Sequence, residues 1–110
     1  MQKFSLDAMA REQLEDARRA SNGRASRTVF GGHEHVLRQT VIALLAGQSL
    51  GVHSNTGEAT VHVLRGRVRL NSDPDAWDAR SGDMLLVPST PHSLTATEDA
   101  VVLLTVAKPR

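Results

Sequence analysis

The chain has 110 residues, no cysteine, only three aromatic side chains (Phe4, Phe30 and Trp77), and 13 basic residues against 12 acidic ones, a net charge of +1. A chain of this length holds one hydrophobic core, and a domain of that size buries roughly 65% of the surface its unfolded form exposes. The missing cysteines exclude disulfides, thiol chemistry and thiolate metal sites, the balanced charge gives no electrostatic basis for nucleic acid or an anionic membrane, and three aromatics make no stacking platform for sugars or bases.

Ser5 can cap a helix near Leu6 to Ala20, whose apolar positions Leu6, Met9, Ala10, Leu14 and Ala17 are spaced three and four apart. Ser21-Asn22-Gly23 suits a left-handed C-cap. The opening residues contain no apolar signal-peptide core, and the longest apolar run, Val41 to Ala46, is too short to span a bilayer. A cytoplasmic protein is expected. Residues 1–25 read as a helix and linker, and 26–110 as a single β domain. Within it, short apolar runs recur between Gly, Asn, Asp and Pro: Thr28 to Phe30, Val36 to Leu45, Val61 to Leu64, Val68 to Leu70, Met84 to Val87, and Val101 to Val106. Short β-branched or leucine-rich runs argue strands. Arg65-Gly66 predicts a hairpin or tight bend, and Asp73-Pro74-Asp75 a turn. Strands at this spacing with no second helix predict an all-β sandwich or barrel.

Two glycine-led motifs stand out. Gly47 is followed by five residues and then His53-Ser54-Asn55-Thr56-Gly57-Glu58-Ala59, a stretch closing at Val63-Leu64-Arg65-Gly66. Gly82 is followed by Pro88 and then Ser89-Thr90-Pro91-His92. Together they resemble the two conserved motifs of the cupin superfamily, over residues 40 to about 106, in the manner of small single-domain bacterial cupins. The resemblance implies an antiparallel β-barrel of the double-stranded β-helix or jelly-roll type, with a short N-terminal α-helix.

In that family, two histidines and a glutamate from the first motif and one histidine from the second hold a divalent metal. Counting from His53, the second family histidine falls on Asn55 and the glutamate on Ala59. Glu58 precedes that alanine by one, and a one-residue shift in a strand turns a side chain to the other face. The second motif is one residue short between Pro88 and His92 and lacks its customary glycine. The candidate metal set is therefore His53 and His92, with Asn55 and Glu58 completing it if a bulge at Thr56-Gly57 re-aims the strand. A divalent transition metal such as Zn, Fe, Ni or Mn would meet a poor shell of two imidazoles and an amide. His33, His35 and Gln39 could add to it if their segment enters the cavity. The alternative for the His33–His35 pair is a solvated loop, and for His53 and His92 a polar, water-filled cavity without metal. His62 reads as a hydrogen-bonded barrel or interface residue. Trp77 reads as a packing residue at a strand edge, and Arg65, Arg67 and Arg69 as a solvated strand face.

Three functions follow. The first is a domain that binds a small polar molecule, and with it a metal, in the barrel cavity through His53 and His92. The second is a metal-dependent isomerase or dioxygenase. The third is an assembly domain without ligand chemistry. Unpaired sheet edges predict a homodimer, and the chain offers no basic recognition helix for DNA.

Overall fold

The apolar stripe and the short runs resolve into one helix and nine strands in a computed structural model that describes residues 2–53 and 58–108, with only the backbone of Val52 and His53. Helix α1 spans Leu6–Arg19. The Ser5 side-chain oxygen accepts a hydrogen bond from the Ala8 N–H at 3.2 Å, satisfying one of the donors a helix start leaves open. Asp7 in the first turn and Arg18 and Arg19 in the last complement the helix dipole. The helix stops at Ala20, whose N–H still reaches the Asp16 and Ala17 carbonyls. The expected left-handed glycine comes later than a C-cap would place it. Gly23 has φ 65° inside the turn leading to the first strand.

The strands are β1 Arg24–Phe30, β2 Leu37–Leu44, β3 Ser49–His53, β4 Glu58–Arg65, β5 Arg67–Ser72, β6 Asp75–Arg80, β7 Met84–Leu86, β8 His92–Ala96 and β9 Ala100–Ala107. They form two antiparallel sheets, in the orders β1-β2-β9-β4-β7 and β3-β8-β5-β6. The bend at Arg65-Gly66 is not a hairpin, because β4 and β5 belong to different sheets. The hairpin lies one strand further on, where Ser72 pairs with Asp75 across Asp73-Pro74.

The five-stranded sheet is covered on both faces. Val41, Ala43, Val101 and Leu103 face Met9, Ala10, Leu14 and Ala17 of α1. Ile42, Leu44, Ala100 and Val102 face Val68, Leu70, Leu94 and Ala96 of the opposite sheet. Such a strand has apolar residues at every position rather than every second one, which explains the unbroken runs Val41 to Leu44 and Val101 to Leu104. A layered helix–sheet–sheet jelly roll results, and α1 packs directly on it rather than standing off on a linker.

Candidate functional site

Connectivity gives the barrel two unlike ends. At one end β2 turns into β3, and β8 and β9 are joined. At the other, β2, β4 and β8 begin and β3 and β9 finish. Among the described residues the second end is open. A cavity of about 360 Å³ lies between the sheets there, at the small end of the roughly 300–1,000 Å³ usual for ligand pockets.

Its wall follows from strand parity, because alternate residues of a strand share a face. On β2 the positions Arg38, Thr40 and Ile42 line it, and on β9 Val102, Leu104 and Val106 do so, with Lys108 just beyond the strand. Leu50, Val61, Leu70, Val87 and Leu94 complete the aliphatic wall, and His92 contributes an imidazole. The expected polar cavity is thus mostly aliphatic, because inward positions of short strands in a small two-sheet domain must also supply its core.

His92 is buried and lines this cavity. Its Nδ1 lies 2.9 Å from the Thr90 carbonyl oxygen. A carbonyl only accepts, so in the neutral ring Nδ1 carries the proton and Nε2 the lone pair. His53 pairs with His92 across the β3–β8 ladder, which brings the two backbones to roughly 4.5–5.5 Å. A register shift between Leu50 and His53 makes this alignment possible, since three steps along β3 match two along β8. Asn55 lies outside the described residues.

Glu58 stands on the opposite face of its strand from Ala59. Its strand pairs with β9 without irregularity from Glu58 to Val63, where Ala59, Val61 and Val63 are the buried, inward set. Glu58 is exposed and shares the parity of Thr60 and His62. It points away from the cavity, and Ala59 holds the inward position without a donor atom. Among the described residues no three His, Asp or Glu side chains gather where they could hold a metal ion. The described donor set offers one imidazole, and does not fit a metal centre by itself.

The remaining candidates are dispersed. His35 packs on Phe30 at 4.5 Å between ring centroids, with Nε2 3.4 Å from a Glu34 carboxylate oxygen. Gln39 donates to the Thr105 hydroxyl at 3.2 Å, on the sheet face opposite Arg38 and Thr40. His33 borders a second hollow of about 350 Å³ beside the mouth, with Thr28, Gly31 and Gly32. His62 is half-buried between Leu103 and Met84 on the outer face. Trp77 is 47% exposed on the edge strand β6. Arg67 pairs with Glu98 at 3.0 Å and Arg69 with Asp78 at 3.3 Å.

Sequence reasoning missed Arg38, Thr40 and Lys108. Arg38 and Thr40 lie two and four residues before Ile42 on β2, so the two-residue period was the signal that could have placed them on the cavity face. Lys108 has no such signal, because it lies one residue past the last strand.

The chain matches the cupin domain family, Cupin_2, over residues 40–107. No curated protein matches it. Among solved structures it is similar to SPY1581, a conserved protein of unknown function from Streptococcus pyogenes, at 33% identity and a TM-score of 0.74, covering 83% of this chain and 79% of that one. An RmlC-like cupin protein from Desulfovibrio desulfuricans is 32% identical with a TM-score of 0.68, covering 79% and 84%. A cupin superfamily protein from Desulfitobacterium hafniense shares the fold at 16% identity and a TM-score of 0.74, over 82% of each chain. The match spans both glycine-led motifs and every strand from β3 to β9, and the chain belongs to the cupin domain family.

Proposed function

We propose that this chain is a small-molecule-binding cupin, whose ligand enters the open end of the barrel and rests on His92 and the aliphatic wall behind it. One observation carries the reading: His92 of the second motif lines a cavity of ligand size, together with Leu50 and Val61 from within the first motif's span. The position where the family motif expects an acidic ligand is Ala59, which favours binding over metal-dependent isomerase or dioxygenase chemistry. A ligand that binds only the native state raises its stability by mass action. Screening small molecules by thermal shift, on the chain and on a Leu104→Trp variant that fills the cavity, tests this. Ligands should stabilise the chain and lose that effect in the variant. Equal stabilisation of both would place binding elsewhere and sink the reading.

The alignment of His53 with His92 supports a second reading, a weak divalent transition metal site at the same mouth. Isothermal titration with Zn, Ni or Mn on protein lacking a histidine tag checks it. Ala59→Glu should tighten binding by supplying an inward carboxylate, and His92→Ala should abolish it. If Ala59→Glu leaves affinity unchanged, the metal reading falls.

We further propose a homodimer in a cytoplasmic setting. Met84 and Leu86 on edge strand β7 are 60% and 75% exposed, and Trp77 lies on β6, an edge strand of the other sheet. Exposed edges carrying large apolar side chains favour pairing. Sedimentation at tens of micromolar, a concentration of that order, should give twice the chain mass of 11.9 kDa. A clean monomer would refute the dimer. Among the described residues no helix is long and apolar enough to cross a membrane.

A further inference from the structure

The cavity is aliphatic along its length and cationic at its mouth. Among the described residues its only charged lining residues are Arg38 and Lys108, and no carboxylate lines it. Both cations also border the second hollow, so they stand at the boundary between the enclosed apolar space and the more open pocket beside it. Among the described residues neither forms an ion pair, although Arg18, Arg19, Arg27, Arg67 and Arg69 each do. Lys108 Nζ donates to the Gly32 carbonyl at 2.8 Å, which points its ammonium toward the glycine turn at the rim. The neighbouring carboxylate, Glu34, lies 3.4 Å from His35 Nε2 and lines neither pocket.

Two positive charges at the rim of a low-dielectric cavity, with no carboxylate among its described lining residues, attract and orient an anion. The wall behind them narrows the class further. Among the described residues it has no Phe, Tyr or Trp face, and its uncharged or titratable polar side chains are Thr40 and His92. A sugar would leave most of its hydroxyls without partners there, which is costly in a water-poor site. An alkyl chain has no hydroxyls to leave unpaired.

Resting on the reading of this cavity as the ligand site, we propose that the ligand is an amphipathic carboxylate. Its aliphatic body fills the space between the sheets, and Arg38 and Lys108 hold its head group at the mouth. The planar guanidinium fork of Arg38 matches a carboxylate better than a point charge would.

The test uses sodium octanoate as the probe, with 1-octanol as the same body without charge, acetate as the head without body, and octyl phosphate as an alternative anion. Binding is followed by titration calorimetry and by the methyl resonances of Leu50, Leu94 and Leu104. Octanoate should saturate and shift those methyls, octanol should bind about tenfold more weakly, and acetate should not bind. Arg38→Gln and Lys108→Gln should each weaken octanoate severalfold, the double variant further, while octanol affinity stays unchanged. If octanol matches octanoate and shifts the same methyls, the anion proposal is overturned and the cavity reading stands. Tighter binding of octyl phosphate than of octanoate overturns the carboxylate assignment. If no probe moves the methyls, both the proposal and the cavity reading fall together.

Discussion

The two ends of this barrel are built on the same strands and do opposite things. At the closed end Leu44, Val63, Val68, Ala96 and Ala100 are all at most 1% exposed, and the connections above them lock together. Gly66 has φ 75°, and a Cβ there would sit 2.0 Å from the Asp99 carbonyl oxygen. The Asp99 carboxylate accepts from the Ala46 N–H at 2.9 Å, and the Gly47 N–H reaches the Ala96 carbonyl at 2.8 Å. At the open end the same strands diverge around a cavity, and inward positions carry Arg38, Thr40 and His92. Stability is concentrated where the strands cross between sheets, and that leaves the other end available for chemistry at modest cost.

The sharpest way to break this comparison is at the glycines. Gly66→Ala forces a side chain into the Asp99 backbone and a left-handed conformation at once. It should cost on the order of 4 kcal/mol or prevent folding. Gly47 also has positive φ, 88°, but a Cβ there would meet nothing within 4 Å. Gly47→Ala should cost only the conformational term, about 1–2 kcal/mol. Urea unfolding of both variants measures the difference, and equal losses would show that the close approach at Gly66 does not govern the closed end.

Side-chain truncation gives a smaller contrast. Leu44 is 1% exposed and wholly within the core, so Leu44→Ala should cost about 3 kcal/mol. Leu104 borders existing empty space and is only partly buried. Leu104→Ala removes fewer contacts and should cost about 1 kcal/mol. A loss at Leu104 as large as that at Leu44 would mean that the cavity is filled or collapsed in solution.

This unequal distribution also explains what the sequence made legible. The helix, its Ser5 cap and most of the five-stranded sheet were readable because they bury long apolar runs. The four-stranded sheet was less so. β6, Asp75–Arg80, carries three charges and presents mostly exposed side chains, and β3 is a five-residue strand with Gly51 inside it. Neither has a hydrophobic pattern, and both are held by hydrogen bonding to β5 and β8. At the site, the motif spacing identified His92 and its partner strand. It could not choose between Glu58 and Ala59, because the inward face depends on whether β4 is regular, a matter of pairing with β9. The cations at the mouth were hidden for a related reason. Arg38 is one charge at the start of a hydrophobic run, and it becomes a cavity residue only once the opposite sheet is in place.

The smallest expected effect concerns Arg38 itself. Its guanidinium is exposed and forms no ion pair among the described residues. Removing its charge should therefore leave no buried group unsatisfied and open no cavity in the core. Arg38→Gln keeps a polar side chain of similar reach at the barrel mouth, so the unfolding midpoint should correspond to a change within about 0.5 kcal/mol. A comparable control is Arg67→Gln, which breaks the exposed pair with Glu98 and should also cost well under about 1 kcal/mol. If both leave stability intact while only Arg38→Gln weakens binding of an anionic ligand, the open end is dispensable for the fold and specific for the ligand. If Arg38→Gln instead destabilises the domain by about 2 kcal/mol or more, far outside the range for a surface substitution, then Arg38 has a structural partner at the mouth. The separation between a stabilising end and a binding end would then not hold.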